Sequence, residues 1–411
     1  MQSCICVYIW SPEVDLSNID PALKSSKYLP RSKHLYLGSV MAFNLPSQHR
    51  ALVLESIEAG FQLKSVPTPQ LSEGSAIVRI EVSGALSYFR EIYNGSLGYS
   101  FPTPIVGGLS AIGHIVALGP DATVLKPGKL VFVDCVVRAR DDPSALFLTA
   151  IHDGGSDASK KLMTEVWRDG TLAEFVKVPL ENCIPLDETR LCQGLGYSVQ
   201  DLMYLSYLLV PYGGLRDIKL EPGETVVVSP AAGGFGSAGV MVAIAMGARV
   251  IALGRNETKL EKLKEHVKRG TPGANIEIVR LTGDERADTA AVAAFGKIDA
   301  ALDLSPHGAA KSTHLKSVVN ALRQNGRCSL MGMAEVIIPA WKVVSSNISF
   351  RGKLMYERDD ILQFIKMLER GMFPKGKDLV TTKAFGLENW KEGFETAAEY
   401  IGVGQTVVFT P

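Results

Sequence analysis

The chain has 411 residues, and its 43 Lys and Arg residues balance 43 Asp and Glu residues, so the formal net charge is zero. That balance argues against a nucleic acid or an anionic membrane surface as partner. Hydrophobic residues make up 46% of the chain, and no apolar run approaches the roughly 20 residues of a membrane span. This length predicts two or three domains.

The first part of the chain differs from the rest. Residues 1–48 show no sustained period and predict an irregular or disordered extension. The apolar stretch at residues 4–10 has no basic residue before it, and Pro12 and Glu13 follow directly, which argues against a secretory signal. The 6 cysteines form no C-x-x-C pair, so we expect reduced thiols and a cytoplasmic protein.

A β-rich region begins at His49. Alternating or continuous apolar runs predict strands at residues 51–54, 75–82, 111–118 and 130–137. Residues 356–411 return to mixed elements and end in a predicted strand at 405–409. We expect residues 49–187 to form one domain, to which residues 356–411 add.

Strands and helices alternate over residues 188–355. Strands are predicted at 225–229, 248–253, 277–281, 299–303 and 328–331. A small-residue helix is predicted at 237–246, and Asn256 is placed to cap a second helix. This alternation predicts a Rossmann domain, an α/β fold with a doubly wound parallel sheet.

A glycine-rich turn joins the first of these strands to its helix. Ala231, Gly233 and Gly236 fill the G-x-G-x-x-G positions, with alanine replacing the first glycine. Such a turn lets the backbone approach a pyrophosphate at a helix N-terminus, although a purely structural turn remains an alternative. The predicted cofactor-binding residues of the turn are Ala231, Ala232, Gly233, Gly234, Phe235 and Gly236.

The end of the next strand bears on which dinucleotide binds. Proteins that bind NAD place an acidic residue there, and Gly254 takes that position in this chain. Arg255 can pair with a 2′-phosphate, and Asn256 and Lys259 can add donors. These residues predict NADP(H), unless Arg255 and Lys259 are merely solvated residues at a helix start.

With these segments, the chain resembles the medium-chain dehydrogenase/reductase superfamily over residues 49–411. The resemblance rests on the glycine turn and on residues 113–119, 126–128, 170–175 and 322–327. It is strongest to a fungal zinc-independent branch that is alcohol-dehydrogenase-like or quinone-oxidoreductase-like, on residues 88–95, 167–170 and 210–216. The resemblance implies a GroES-like catalytic domain beside the Rossmann domain, a small-molecule substrate and a homodimer.

Zinc-dependent members of the superfamily have a Cys ligand early in the chain and a later Gly-His-Glu triplet. The triplet falls on Gly108-Leu109-Ser110 in this chain, and the Cys position falls near Leu86 or Ser87. Leu109 and Ser110 are not competent zinc ligands in that role. His114 lies in an apolar run, so we expect a strand residue whose ring is hydrogen-bonded. We therefore expect no zinc.

Without a Lewis acid, hydride transfer to an enone or quinone needs only hydrogen bonds to the acceptor oxygen. Quinone-oxidoreductase-like members carry Asn-x-x-Asp-x-Tyr-x-Arg, of which Tyr88 and Arg90 remain here. We expect Tyr88 to donate a hydrogen bond or proton, although a core or cleft-wall position is equally open. The predicted substrate-binding residues are Arg90, Tyr93 and Tyr212.

Ser305 and Gly332 follow two parallel strands, where ligands bind in open α/β sheets, so both are predicted near the nicotinamide. Arg168 and Asp169 are predicted to be solvated rather than to shape a loop as an ion pair. The favoured function is a zinc-independent NADP(H)-dependent reductase of an enone, quinone or ketone. A NADPH-binding sensor or structural protein with little turnover, and a metal-free alcohol dehydrogenase, remain open.

Overall fold

The structure is a computed structural model that describes residues 45–411. The expectation for residues 1–48 therefore falls almost wholly outside the described residues. Along the part that is described, none of the helices is long and apolar enough to cross a bilayer.

The first half of the described chain is mainly β-structure. Its elements are β1 (Gln48–Leu54), β2 (Phe61–Pro67), β3 (Ser75–Ala85), α1 (Phe89–Tyr93), β4 (Ile105–Val106), β5 (Ala111–Leu118), β6 (Leu130–Val133), β7 (Val136–Arg138), β8 (Leu146–Leu148), α2 (Asp157–Glu165), β9 (Phe175–Pro179) and β10 (Cys183–Pro185). A π-helix follows at Thr189–Gly194.

Helices and strands alternate in the second half. The elements are α3 (Val199–Leu202), α4 (Leu205–Asp217), β11 (Thr225–Ser229), α5 (Gly234–Ala245), β12 (Arg249–Gly254), α6 (Glu257–Gly270), β13 (Ile276–Arg280), α7 (Glu285–Ala293), β14 (Ile298–Asp303), α8 (His314–Ala321), β15 (Leu322–Leu330), α9 (Ala340–Ser345), β16 (Ser349–Gly352), α10 (Arg358–Glu369), β17 (Thr381–Phe385), α11 (Trp390–Glu399) and β18 (Gln405–Phe409).

The β-strands of the first half form a GroES-like domain. A 7-stranded sheet has the order β10-β6-β5-β3-β18-β17, with β9 also paired to β3, and a 3-stranded sheet has the order β2-β1-β4. Strand β18 pairs antiparallel with β3, so the end of the chain completes a sheet that the first half begins.

The strand predicted at residues 130–137 is interrupted after β6. The interruption has a clear cause, because the Asn182 side chain donates to the Asp134 and Val136 carbonyls at 2.9 and 3.0 Å. The Asp134 amide in turn donates to the Asn182 carbonyl at 2.9 Å. A buried side chain therefore replaces the ladder hydrogen bonds at this point, which no strand pattern in the sequence reveals.

The second half confirms the predicted Rossmann fold. Its 6-stranded sheet has the order β13-β12-β11-β14-β15-β16, and every pair is parallel. The central strand β11 is buried throughout, as a strand covered on both faces by helices should be. The helix predicted at 237–246 begins earlier, at Gly234, because the glycines after the turn already adopt helical conformation.

A buried polar junction ties β6 to the segment that precedes α10. The Tyr356 hydroxyl donates to Asp134 Oδ1 at 2.9 Å and lies 3.6 Å from the Cys135 sulfur. Arg138 donates to the Tyr356 carbonyl at 3.1 Å. Burial raises the pKa of Asp134 to about 6, and the Tyr356 hydrogen bond opposes that rise.

This junction predicts a pH dependence of stability. Between the ordinary pKa of 3.8 and about 6, the folded chain binds more protons than the unfolded chain, so Asp134 lowers stability as pH rises through that window. Asp134→Asn keeps an oxygen acceptor for Tyr356 and cannot ionise. We expect the variant to be more stable than the wild type at pH 8, with the difference closing towards pH 4, in urea unfolding. Asp141→Asn, on an exposed turn, controls for the loss of a charge; an equal effect there would contradict the assignment to Asp134.

Strand β16 lies last in the order of the parallel sheet, and the segment that leads into it carries exposed apolar side chains. Ile337, Trp341 and Val344 are 89%, 70% and 78% exposed. Trp341 and Val344 lie on α9, directly before β16. Exposed apolar side chains that lie near one another in the sequence form a hydrophobic surface whose hydration is unfavourable.

Candidate functional site

The glycine-rich turn leaves the start of α5 open. Gly233 is the N-cap of α5, with extended backbone and no side-chain capping hydrogen bond. A Cβ at Gly233 would meet nothing within 4 Å, whereas a Cβ at Gly236 would lie 2.0 Å from the Pro230 carbonyl oxygen. Gly236 thus allows the helix to pack on the turn, and the backbone amides at the start of α5 could hold an anion.

The other residues of the glycine-rich turn lie next to the open start of α5. The Ala231 amide donates to the Leu253 carbonyl at 2.8 Å, which fixes the turn against the end of β12. Ala231 is fully buried. The remaining residues of the turn are partly exposed, namely Ala232, Gly233, Gly234 and Phe235.

The end of β12 carries no acidic side chain. Gly254 is its last residue, and a Cβ there would come within 3.3 Å of Leu260. Arg255 and Lys259 are exposed. Asn256 caps α6 as predicted, and its side-chain oxygen accepts from the Lys259 amide at 2.9 Å. That oxygen therefore caps the helix, and Arg255 is an exposed cation directly after the end of β12.

A second guanidinium lies beside this position and was missed in the sequence. Arg280, the last residue of β13, pairs in register with Gly254. Its Nη1 lies 3.8 Å from a Glu257 carboxylate oxygen, and both side chains are about 60% exposed (63% and 62%). Only the strand register brings Arg280 to Gly254, and the sequence alone does not give that register.

Ser305 and Gly332 meet at the carboxyl ends of β14 and β15. A Cβ at Gly332 would lie 2.1 Å from the Ser305 amide nitrogen, and the Met333 amide donates to the Ser305 carbonyl at 2.8 Å. The Ser305 hydroxyl is buried against the Asp303 carboxylate and lies 2.8 Å from His314 Nε2. The hydroxyl is thus engaged inside the protein, and it is the backbone here that borders the edge of the sheet.

Tyr88 lies at the start of α1 and is partly exposed. Burial of its hydroxyl region raises the pKa of Tyr88 far above the ordinary value, and the neighbouring Tyr99, Tyr207 and Cys135 raise it further. The phenol therefore stays neutral over the whole physiological range. A neutral phenol is a hydrogen-bond donor.

Tyr207, on α4, is a site residue that the sequence did not reveal. Its ring centroid lies 4.8 Å from that of Phe235, and its Cε1 lies 2.9 Å from where a Gly234 Cβ would stand. Burial raises the pKa of Tyr207 to about 12, and the adjacent backbone and hydroxyl of Ser87 oppose the rise. In the sequence, Tyr207 is one aromatic residue in an apolar helix, a pattern that more often indicates core.

Two predicted substrate-binding residues, Arg90 and Tyr93, have partners outside the glycine turn. Arg90 is exposed and is held by carboxylates, with Glu91 at 2.6 Å and Glu395 at 2.5 Å. The hydroxyl of Tyr93 accepts from the Gly108 amide at 2.9 Å, and its buried ring packs against aromatic side chains. Those neighbours are Phe61, Phe89, Phe101 and Phe394. The polar groups of both residues are thus engaged by other parts of the protein, and their binding of a substrate stays a prediction.

Tyr212, the third predicted substrate-binding residue, packs against α10. Its ring makes a T-shaped contact with Phe364 of α10 at 5.0 Å, and the Arg216 guanidinium lies 5.9 Å from it.

Arg168 and Asp169 do form an ion pair, at 3.3 Å, but about half of each side chain is exposed (44% and 47%). The Asp169 carboxylate also accepts from the Val106 amide at 3.1 Å, so it does hold a loop.

The residues at the zinc-ligand positions do not fit a metal. Leu86 and Leu109 are buried aliphatic side chains, and Ser110 is buried with them. Within residues 45–411, no three His, Cys, Asp or Glu side chains come together closely enough to hold a metal ion. The His114 ring is satisfied as predicted, by Glu81 at 3.1 Å and Glu188 at 3.3 Å.

Comparisons with known proteins agree with this architecture. Residues 72–188 match the family model of the alcohol dehydrogenase GroES-like domain, and residues 234–370 match that of zinc-binding dehydrogenases. Alcohol dehydrogenase 1 of Caenorhabditis elegans is 23% identical over 83% of this chain and 92% of its own length. Acryloyl-coenzyme A reductase of Metallosphaera sedula is 25% identical over 55% of this chain and 65% of its own. The solved structure of a thermostable alcohol dehydrogenase from Pyrobaculum aerophilum superposes with a TM-score of 0.64 at 19% identity, over 89% of this chain and 100% of that one.

Proposed function

Because the chain belongs to the medium-chain dehydrogenase/reductase superfamily, we propose that it is an NADP(H)-dependent oxidoreductase that works without zinc and reduces an enone, a quinone or a ketone. The observation that carries the proposal is the open N-terminus of α5, flanked by Arg255 and without an acid at the end of β12. Residues 49–187 and 356–411 would form the catalytic domain, and residues 188–355 would bind the cofactor. A homodimer with a cytoplasmic location belongs to the same proposal.

The cofactor site is built from backbone and cations. The amides at Gly233 and Gly234 would hold the pyrophosphate, since no side chain occupies them. Arg255 would pair with the 2′-phosphate, and Arg280 lies in register beside Gly254 to add a second cation. When bound, NADPH supplies a hydride.

Tyr88 would donate a hydrogen bond to the carbonyl oxygen of the acceptor. When an enone gains hydride at its β-carbon, negative charge moves to the carbonyl oxygen, and a neutral phenol can donate to it there. Protonation of the α-carbon by water then completes the reduction, so hydride and proton together saturate the C=C bond. Tyr207 and Phe235, whose rings pack against each other, would form one wall of the site beside the start of α5.

The proposed absence of zinc narrows the acceptors. The zinc-ligand positions hold Leu86, Leu109 and Ser110, which would not bind a zinc ion. Without that ion, nothing at these positions would polarise a simple carbonyl as a Lewis acid. Conjugated acceptors need less polarisation, because charge delocalises into the carbonyl as hydride arrives. This is why we place enones and quinones before unconjugated ketones.

The cofactor preference predicts a specific loss. Arg255→Ala should weaken NADPH binding by about 1.5–3 kcal/mol, the value of a charge-assisted hydrogen bond, and should change NADH binding little. Fluorescence titration of both cofactors measures the difference. Arg286→Ala, an exposed arginine on α7, controls for the loss of a positive charge. Equal weakening for both cofactors in Arg255→Ala would remove Arg255 from this role.

The function is tested with purified protein and NADPH. Oxidation of NADPH is measured by its absorbance with each member of a panel of enones, quinones, ketones and aldehydes. The measurement is repeated after the protein has been dialysed against a chelator. We expect turnover with conjugated acceptors, unchanged by the chelator, and no stoichiometric zinc. Tight NADPH binding without turnover would favour the sensor, whereas oxidation of alcohols with NADP⁺ alone would favour a metal-free alcohol dehydrogenase.

A further inference from the structure

Tyr207 stands between the dinucleotide turn and the proposed catalytic tyrosine. On one side its ring lies against the first turn of α5, with the Phe235 ring 4.8 Å away between centroids at an interplanar angle of 39°. The position of a Gly234 Cβ is only 2.9 Å from Tyr207 Cε1. The ring therefore touches the segment whose amides would hold the pyrophosphate.

The hydroxyl of Tyr207 reaches the other side of the site. It lies beside the backbone and hydroxyl of Ser87, the residue directly before Tyr88. Tyr88 packs against the buried cluster that contains Tyr207, and an ionised Tyr207 phenol would raise the pKa of Tyr88. One buried side chain thus bridges β3–α1 of the GroES-like domain and α5 of the Rossmann domain.

The bridge is held firmly on α4. Tyr207 is 5% exposed, and its ring stacks on that of Tyr204 at 5.7 Å. Helix α4 packs along α5, where Pro211 comes within 3.3 Å of the Cβ position of Gly239. Because the ring is buried against Tyr204 and Phe235, a shift of the first turn of α5 would be transmitted to it.

We propose that Tyr207 is a positioning residue that couples occupancy of the dinucleotide turn to the orientation of Tyr88. A phosphate bound at Gly233 and Gly234 would set the first turn of α5 and, through Phe235 and Tyr207, the Ser87–Tyr88 segment. The phenol of Tyr88 would then be aligned for an acceptor only when the cofactor is in place. This inference rests on the proposed function for the identity of the cofactor.

Turnover provides the first test. Tyr207→Phe keeps the ring on α5 but loses the hydroxyl beside Ser87, so we expect kcat to fall about tenfold while KM for NADPH stays within about twofold. Tyr197→Phe is the matched control, because it removes a buried hydroxyl that donates only to the Phe373 and Pro374 carbonyls. If Tyr207 has a merely structural role, Tyr207→Phe would be less stable but would not show a fall in kcat at constant KM. That result would overturn the proposal.

The second test needs no turnover. In 3-fluorotyrosine-labelled protein, the ¹⁹F resonance of Tyr88 is assigned as the one missing from Tyr88→Phe. The probe is 2′-phospho-ADP-ribose, which carries the phosphates but lacks the nicotinamide that could act on Tyr88 directly. We expect it to shift the Tyr88 resonance in the wild type, and to shift it by less than half as much in Tyr207→Leu.

The outcomes separate the two ideas. An equal shift in Tyr207→Leu, or no shift in the wild type, overturns the coupling. A wild-type shift that depends on Tyr207, in a protein that oxidises no NADPH with any acceptor, supports the coupling and refutes the proposed reductase. If NADPH is oxidised and the Tyr88 shift is the same in Tyr207→Leu, the reductase is supported and the coupling is refuted.

Discussion

Gly236→Ala should destabilise the protein by about 3 kcal/mol or more, one of the largest losses expected from adding a single methyl group. The added Cβ would lie 2.0 Å from the Pro230 carbonyl oxygen and 2.9 Å from two Ala231 backbone atoms. Because the obstacle is backbone, no side chain can rotate away, and either the turn or the start of α5 must move. Urea unfolding measures the loss, and titration with NADPH should show weak or no binding.

A neighbouring glycine separates packing from binding. At Gly233 an added Cβ meets nothing within 4 Å, so Gly233→Ala should unfold near the wild-type midpoint and still bind NADPH more weakly, since the methyl group fills the phosphate approach. Gly273→Ala, also unobstructed but far along the chain after α6, should change neither property. Wild-type stability in Gly236→Ala would show that the turn adapts, and the packing account would then be wrong.

Tyr88→Phe should lower kcat roughly 100-fold with conjugated acceptors, within the range for losing a hydrogen bond or proton donor to developing negative charge. The ring stays, so its packing against the buried core persists and NADPH should bind as before. Since the pKa of Tyr88 is raised far above its ordinary value, the wild-type rate should show no loss from ionisation of this phenol up to pH 10. Steady-state kinetics across pH, together with NADPH titration, measure both effects.

The control for this variant is again Tyr197→Phe, whose hydroxyl lies in the interior near α10 and outside the site. It should retain the wild-type rate. If Tyr88→Phe turns over at the wild-type rate, Tyr88 is a wall of the cleft, and the donor has to be sought among its neighbours, first at Tyr207. A fall in NADPH affinity instead of kcat would indicate that the substitution acts through the turn.

The fold could be predicted because its signals are local. Strand–turn–helix alternation and the turn at Gly233 and Gly236 depend on neighbouring residues, and the parallel order of the sheet follows from short crossovers. The cap at Asn256 is likewise a property of a few consecutive positions. The break after β6 was not predictable, because Asn182 reaches it from a distant part of the chain.

The candidate site was less accessible to prediction, for the same reason. Arg90 and Tyr93 follow Tyr88 closely, yet one turn of helix directs them to Glu395 and to Gly108. Tyr207 and Arg280, in contrast, lie far from Tyr88 and Gly254 in sequence and reach them only through helix packing and strand register. Motif spacing identifies the backbone that we propose to bind a phosphate, but side chains that converge from separate elements need coordinates.

The outer strand β16 and the exposed Ile337, Trp341 and Val344 before it have a thermodynamic consequence. Whatever covers this surface can do so only when the sheet is folded, because an unfolded chain has no such edge. If a second copy of this chain covers it, association would draw the equilibrium towards the native state by mass action. The melting temperature would then rise with protein concentration, and dilution alone would weaken the fold.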